Sequence, residues 1–424
     1  MGRRTDCESR PGLRRRLEGN LRSMQYARPV YDARDGLRAA LPKTAFGPTI
    51  RTIFKESETL PMKIHTIAAI PGDGIGKEVI AAGLEVLNAC AAADGSFSIH
   101  PQSFDWGSDY YKQHGVLIPE NGLDQLRPFD AIYFGAVGAP DVPDHITLWG
   151  LRLSICQPFD QYANLRPTRI LPGIESPLRN ASVKDLNWMI VRENSEGEYA
   201  GQGGRTHRGL PEEIGTDVSI FTRTGVTRIM RFAFGLAQSR PRKLLTVVTK
   251  SNAQRHGMVL WDEIAAEVAK EFPDVTWDKI LVDAMTARMI LKPASLDTIV
   301  ATNLHADILS DLAAALAGSL GIAPTANLNP EGHFPSMFEP IHGSAFDITG
   351  KGIANPIGAF WTASLMLEHL GEQKASARLM LAIETVTSDK ANHCPDLGGR
   401  ATTRKVTDAV IAALQSEAGV VSSL

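Results

Sequence analysis

Two carboxylates four residues apart, Asp307 and Asp311, lie in the stretch Asn303–Asp311, which reads Asn-Leu-His-Ala-Asp-Ile-Leu-Ser-Asp. The pattern predicts a helix, and residues four apart share one helical face, a turn from each other. No basic residue stands between them, so the pair repels itself unless a cation is shared. A hard divalent ion such as Mg²⁺ or Mn²⁺ suits the arrangement: oxygen ligands, one or two carboxylates, and room for substrate and water. The plainer reading is a solvated acidic face, because Asp-x-x-x-Asp is common. The surroundings count against it. Leu304, Ile308, Leu309 and Leu312 imply a partly buried helix, and Asp297–Ala301 before it reads as a buried strand. Carboxylates at the mouth of a strand–helix turn are well placed for ligands.

Other segments carry groups suited to the same kind of site. In Gln161–Pro167 (Gln-Tyr-Ala-Asn-Leu-Arg-Pro), Pro167 fixes an extended backbone at Arg166, whose guanidinium can fork onto a carboxylate. Val191–Gly201 puts Arg192 and Tyr199 on one turn-rich segment after a strand; core packing is the plain alternative for the tyrosine. Lys250 stands at the C-terminal end of a strand, where open α/β sheets bind ligands; a solvated strand end is its plain alternative. Glu339–Pro356 is too glycine-rich for a helix, and Asp347, the one acid within the loop after Glu339, suits a ribose diol and would repel a 2′-phosphate. Gly72, Gly74 and Gly76 allow a tight turn before a helix start, which attracts anions; the spacing is not that of the G-x-G-x-x-G fingerprint.

These segments sit on an alternating pattern of elements. Strands are expected at 64–70, 130–137, 187–192, 216–223, 243–249 and 275–282. Helices are expected at 77–92, 148–159, 226–238, 255–272, 357–370, 374–387 and 401–415. Alternation of this kind means an α/β fold with a largely parallel sheet. A length of 424 with 43% hydrophobic and 21% charged residues is that of an ordinary globular enzyme. No apolar run approaches the ~20 residues that cross a bilayer. Cys7, Cys90, Cys156 and Cys394 are far apart and read as reduced thiols, so a cytoplasmic location is expected.

Charge is uneven. Residues 1–61 carry 13 Lys and Arg against 7 Asp and Glu, leaving 31 against 40 for the rest. The acidic body argues against nucleic acid as a partner. The Arg-rich, Pro-broken segment 1–61 is expected to be disordered and dispensable, with Met62 opening the folded body.

In order, the motifs Gly72–Gly76, Asn164–Pro167, Arg192–Asn194 with Tyr199, Lys250, Asp283, Asn303–Asp311 and His342–Ala345 through Asn355 resemble the β-decarboxylating dehydrogenases, the family of isopropylmalate, isocitrate, tartrate and D-malate dehydrogenases. His145–Gly150, Phe159–Tyr162, Thr249–Asn252 and Ala326–Pro330 look most like its tartrate/D-malate branch. The resemblance implies metal ligation by Asp307 and Asp311 with Asp283 of a second subunit. It also implies Lys250 of that subunit as base for the substrate hydroxyl, Tyr199 as acid, and Arg166 and Arg192 on substrate carboxylates. NAD is implied on Ile75, His342, Gly343, Ser344, Ala345, Asp347 and Asn355, with Mg²⁺ or Mn²⁺ and room for a monovalent cation. The implied fold is a two-domain isopropylmalate-dehydrogenase-like chain, not a standard Rossmann fold. Residues 62–161 and 318–424 would form the large domain and 162–317 the smaller, dimer-forming one. The implied substrate is a small 2-hydroxy diacid, oxidised with or without β-decarboxylation by a homodimer that binds neither membrane nor nucleic acid. A 3-isopropylmalate dehydrogenase is the alternative. A non-catalytic subunit of the same fold is a weaker one, since it does not need Tyr199, Lys250 and the aspartates together.

Three positions depart from the family pattern. Cys156 stands where the family carries an arginine, His305-Ala306 replaces an aromatic and a glycine, and Phe346 replaces a proline. Arg152, one turn before Cys156, is the nearest cation. Helical side chains lean toward the N-terminus, so Arg152 is expected to point away from the place the missing arginine would fill.

Overall fold

The computed structural model describes residues 62–179 and 181–421. The expectations for 1–61 lie outside the described residues. Ten strands form one sheet and two form a separate hairpin. In chain order they are β1 (Lys63–Gly72), β2 (Phe97–Ser103), β3 (Ala131–Ala136), β4 (Ala163–Arg169), β5 (Asn187–Glu193), β6 (Gly197–Thr206), β7 (Ile214–Ile220), β8 (Leu244–Thr249), β9 (Thr276–Leu281), β10 (Thr298–Ala301), β11 (Pro324–Leu328) and β12 (Ser336–Pro340). The sheet order is β2-β1-β3-β12-β11-β4-β5-β10-β8-β9, which is not that of a Rossmann sheet.

The pairing sets two parallel blocks side by side. β2, β1, β3 and β12 run together, as do β5, β10, β8 and β9. Between them β11 and β4 pair antiparallel, so the second block runs opposite to the first. Strands inside a parallel block are covered on both faces and need apolar side chains throughout. Ala131–Ala136 is buried at every position, as is Thr298–Ala301. Helices Gly76–Asp94, Ile357–His369, Gln373–Ser388 and Thr403–Val421 cover the first block. Arg223–Ser239 and Gly257–Val268 pack on the second block, where Phe234 and Trp261 are fully buried.

The central strands position the chemistry. Asn164 lies opposite Arg192 on β5 and opposite Asn327 on β11. Thr325 lies opposite Glu339 on β12. Side chains alternate along a strand and paired residues share a face. One face therefore carries Glu339, Thr325, Asn327, Asn164, Arg166 and Arg192 in a row. Asn327 is its hub. Its Oδ1 accepts from Asn164 Nδ2 at 2.6 Å, Arg152 Nη2 at 3.1 Å and Asn194 Nδ2 at 3.1 Å. Its Nδ2 donates to Glu339 Oε1 at 2.8 Å and to the Met337 carbonyl at 3.3 Å.

Several expectations are corrected. β2, β4, β6, β11 and β12 were not anticipated, and the helix expected over 148–159 is a broken one running from Asp144 to Cys156. Its middle, Leu148–Arg152, is a π turn in which the Leu153 N–H bonds the Leu148 carbonyl. The hub leads to a prediction. Asn327→Leu strands several buried donors and acceptors at once, each costing about 1–3 kcal/mol. Chemical denaturation should show an unfolding free energy lower by about 2–4 kcal/mol; an unchanged midpoint would remove Asn327 from the central role given to it.

Candidate active site

The helix Asn303–Ala317 begins just after β10, capped by the Thr302 hydroxyl. Asn303, Asp307 and Asp311 recur every four residues along it; Asn303 and Asp307 contact arginines of the polar row, while Asp311, a turn further on, is exposed and its carboxylate bonds no described residue. The absence of a basic neighbour in sequence does not carry over to space. Asp307 Oδ1 meets Arg192 Nη1 directly and lies 3.3 Å from Arg166 Nη1. Both arginines come from sheet strands more than a hundred residues away, so helical spacing could not show them. Burial works to raise the Asp307 carboxyl, but Arg192, Arg166 and Arg152 hold it below the usual carboxylate range. Asp311 goes the other way: burial raises it, Arg166 pulls it down, and the like charge of Asp307 raises it again. Burial and repulsion from Arg192 depress the Arg166 guanidinium to about 10.

A cleft of about 170 Å³ opens where the two blocks meet. Arg152, Arg166, Arg192, Tyr199, Asp307 and Glu339 line it, with the ends of β3 and β12 as its apolar wall. Each arginine is clamped through Nε and one terminal nitrogen. Arg192 Nε donates to Asn303 Oδ1 at 2.9 Å. Arg166 donates from Nε to Asn164 Oδ1 at 3.0 Å and from Nη1 to Ser310 Oγ at 2.5 Å. Arg152 donates from Nε to Glu339 Oε1 at 2.8 Å and from Nη2 to Asn327.

Arg152 therefore enters the cleft, contrary to expectation. The cleft it lines also reaches Leu148, one turn earlier on the same helix. Glu339 and Asn327, from strands far along the chain, draw the guanidinium in. Cys156 is 1% exposed among Leu151, Ile155, Phe159 and Met337 and does not line the cleft. Burial pushes its thiol up to about 11.

Tyr199 belongs to β6, so the turn-rich segment expected around it is a hairpin strand with an irregular root between Gly197 and Gln202. Such bulges re-aim side chains. Gly201 is needed there: its φ is +71°, and a Cβ would meet the Trp149 ring at 2.8 Å. The Tyr199 hydroxyl donates to Asp307 Oδ2 at 3.3 Å, and its ring faces the Arg192 guanidinium at 5.3 Å. Burial first, then the Asp307 charge, raises its pKa, which favours the protonated phenol.

Lys250 and Asp283 pair with each other at 2.6 Å and line no part of this cleft. Among the described residues no three His, Cys, Asp or Glu converge as a metal-binding group within one chain. The donors fit a hard cation in kind. Asp311 is held protonated more readily by burial and by Asp307, a strain that a shared cation would relieve. In number they are two.

The loop after β12 docks on the turn that follows β1. Ile75 N–H donates to the Ser344 carbonyl at 2.8 Å, and Gly74, with φ +55°, lies so close that a Cβ would meet that oxygen at 2.0 Å. His342 and Gly343 reach the cleft. The His342 Nδ1 faces the Gly343 carbonyl at 3.0 Å, while its buried Nε2 has no partner among the described residues. Burial lowers its pKa. Ala345 adopts φ +40°, and Asp347 is exposed on a single helical turn, Phe346–Ile348. Asn355 Nδ2 donates to Asp396 Oδ2 at 3.0 Å, and Ser319 donates to the same oxygen at 2.6 Å. The structure thus gathers Arg166, Arg192, Tyr199 and Asp307 in one cleft that His342 and Gly343 also reach, with Ile75 bonded to Ser344 of the same loop. Glu339, Asn327 and Asp396 are not among the site residues expected from the sequence, although Asn327 lies in the family-like stretch Ala326–Pro330 and Glu339 heads the singled-out Glu339–Pro356; Arg152 is expected there only as the nearest cation to Cys156.

The family profile described as isocitrate/isopropylmalate dehydrogenase matches residues 66–410. A protein of Agrobacterium vitis described as "Probable tartrate dehydrogenase/decarboxylase" is 75% identical over 353 residues, 83% of this chain and 97% of that protein. The D-malate dehydrogenase [decarboxylating] of Escherichia coli (strain K12) is 50% identical, covering 82% of this chain and 98% of that one. Among solved structures, isocitrate dehydrogenase from Methylococcus capsulatus superposes with a TM-score of 0.74 at 34% identity, over 82% of this chain and 99% of that one.

Next to Arg192, Glu193 is buried and accepts from Ser195 N–H at 2.8 Å and Glu196 N–H at 3.0 Å. Burial nonetheless lifts its pKa to about 7. The folded value is above the unfolded one, so its contribution to stability is full below pH ~4.5 and is lost as pH rises through about 7. That loss is on the order of 3 kcal/mol. Glu193→Gln should flatten the pH dependence of the unfolding free energy across this window; an unaltered slope would contradict it.

Proposed function

We propose, given that this chain belongs to the isocitrate/isopropylmalate dehydrogenase family and is a dehydrogenase, that it oxidises a small four-carbon 2-hydroxy diacid such as tartrate or D-malate, using NAD⁺ and Mg²⁺ or Mn²⁺. The observation that carries the substrate class is the small cleft lined by three clamped guanidinium groups beside Asp307. A diacid supplies two carboxylates to such a cation-rich wall, and the limited volume favours a compact acid over the bulkier 3-isopropylmalate.

The chain's own residues divide the work. Arg166 and Arg192 are pre-oriented by Asn164, Ser310 and Asn303, so they bind and orient carboxylate with little further ordering. Tyr199, its phenol kept protonated by burial and Asp307, holds a proton over the cleft for delivery to carbon once CO₂ has left. Asp307 and Asp311 would hold the divalent cation. When bound, that cation supplies Lewis acidity toward the substrate hydroxyl and NAD⁺ accepts the hydride. The loop His342–Asn355 with Ile75 supports the adenosine half of NAD, and Asp347 disfavours a 2′-phosphate by like charge.

Lys250 and Asp283 enter through a second copy of the chain. The reading is supported by their absence from the lining of the cleft and by exposed apolar side chains on the Asp283 and Asp307 helices. Ile290, Leu291 (77% exposed), Leu304 and Ile308 stand out on helices Val282–Leu291 and Asn303–Ala317. The hairpin β6–β7 is mostly exposed in one chain. In the homodimer these faces pack together, within a lobe of residues 162–317 that is distinct from one of 62–161 and 318–424. Lys250 then serves as base for the hydroxyl proton. The buried free thiols Cys90, Cys156 and Cys394 suit a reducing, cytoplasmic setting.

The test is NAD⁺ reduction with D-malate, tartrate isomers, isocitrate and 3-isopropylmalate, with Mn²⁺ and with excess chelator. A four-carbon diacid should have the highest kcat/KM, NADP⁺ should be a poor substitute, and Asp307→Asn should lower the rate by orders of magnitude. Full turnover in chelator, or 3-isopropylmalate as the best substrate, would refute the reading.

A further inference from the structure

We infer that Trp149 and Gln157, in and just after the broken helix Asp144–Cys156, are positioning residues for Tyr199, holding the root of β6 so that the phenol is aimed into the cleft. The inference rests on the reading of Tyr199 as the proton donor to carbon and names what sets that donor's aim.

The root of β6 is not held by its own hairpin. Gly197 pairs with Ile220 and Gln202 with Val218, so residues 198–201 of β6 stand against Ser219 alone on β7. Tyr199 is one of those four. A bulge of this kind bends the strand and takes residues out of the ladder, and their backbone groups need partners elsewhere. The Tyr199 carbonyl finds one outside the hairpin, where Gln157 Nε2 donates to it at 3.0 Å. Two residues on, Gly201 lies against the Trp149 ring, with φ +71° and no room for a Cβ. An amide and an indole therefore grip the bulge on either side of Ala200.

Both props are themselves fixed. Gln157 N–H donates to the Leu153 carbonyl at 3.1 Å, and the Gln157 carbonyl accepts from Asp160 N–H at 3.0 Å. The Trp149 carbonyl accepts from Ser154 Oγ at 2.6 Å. Neither Trp149 nor Gln157 lines the cleft, so each acts only through Tyr199. The phenol's own contacts are looser. Its bond to Asp307 Oδ2, at 3.3 Å, is long for a hydroxyl donor, and the Arg192 guanidinium faces its ring at 5.3 Å. The aim of the ring is therefore set by the backbone beneath it, and that backbone is set by the broken helix.

In the forward step the phenol O–H bond breaks, a C–H bond forms at the carbon that carried CO₂, and the phenolate recovers a proton from solvent. The reverse step takes a methyl proton from pyruvate, the product of D-malate by that chemistry, and exchanges it for solvent deuterium. The experiment follows this exchange by NMR in deuterium oxide with Mn²⁺ and NADH, in wild type, Tyr199→Phe, Gln157→Met, Gln157→Lys and Trp149→Ala. Oxaloacetate reduction by NADH, which needs no proton on carbon, and KM for D-malate are measured alongside, as is deuterium uptake by the backbone around Tyr199 in the unliganded protein. A misplacement of about 1 Å costs on the order of 100-fold in rate, so Gln157→Met and Trp149→Ala should slow exchange by about 10- to 100-fold. Oxaloacetate reduction and KM should stay near wild type, and backbone uptake around Tyr199 should quicken. Gln157→Lys, which keeps an N–H donor on a chain of similar length, should recover most of the exchange. If Gln157→Met does not fold, Trp149→Ala, at an exposed residue, and Gln157→Lys decide the point. Equal loss of exchange and of oxaloacetate reduction would show that the two residues only support the fold, and would overturn the inference. If wild type exchanges no methyl proton, or Tyr199→Phe exchanges as fast as wild type, the role given to Tyr199 and this inference fail together; if Tyr199→Phe is silent while Gln157→Met and Trp149→Ala exchange at the wild-type rate, only this inference fails.

Discussion

The carboxylate of Asp307, held between the Arg192 and Arg166 guanidinium groups, is the contact on which the rest of the cleft depends. Both arginines are buried at the centre of the sheet, where an unpaired cation would cost several kcal/mol. Asp307 is the anion that lets them stay there, and the helix Asn303–Ala317 is the element that delivers it. Asn164, Asn303 and Ser310 then fix each fork in one orientation. Directly at Asp307 two guanidinium groups meet one carboxylate, while Arg152 and Glu339 pair with each other nearby. A fixed surplus of oriented donors in a small cleft is an economical way to recognise two carboxylates, because little reorganisation remains when the ligand arrives.

The parts of this arrangement differed in how plainly the sequence declared them. Strands inside the parallel blocks were legible because double-sided burial writes continuous apolar runs, as in Ala131–Ala136 and Leu244–Thr249. The central strands β4, β11 and β12 were not, because they place Asn164, Arg166, Asn327 and Glu339 where a strand is expected to be apolar. Those are the strands that carry the site. Asp307, Asp311, Arg166, Arg192 and Tyr199 stood out by motif and resemblance. The direction of Arg152 did not. It depends on a π turn with no sequence signature and on a partner 187 residues away.

The same limit applies to Lys250 and Asp283. Within one chain they satisfy each other and stand apart from Asp307. The proposed assembly gives that separation a purpose: each cleft has the arginines, Tyr199 and two carboxylates of one chain and takes its base and third metal ligand from another. Under that proposal the pair on one copy completes the cleft of the other.

Hybrid dimers of Lys250→Ala and Asp307→Asn chains, carrying different affinity tags and purified as the mixed species, test this division of the site most directly. Each parent dimer should be inactive. In the hybrid, one cleft combines an intact Asp307 with an intact Lys250 and the other combines both lesions, so about half of wild-type activity should return. A hybrid as inactive as its parents would mean that each cleft uses its own chain's Lys250, and would contradict the shared site.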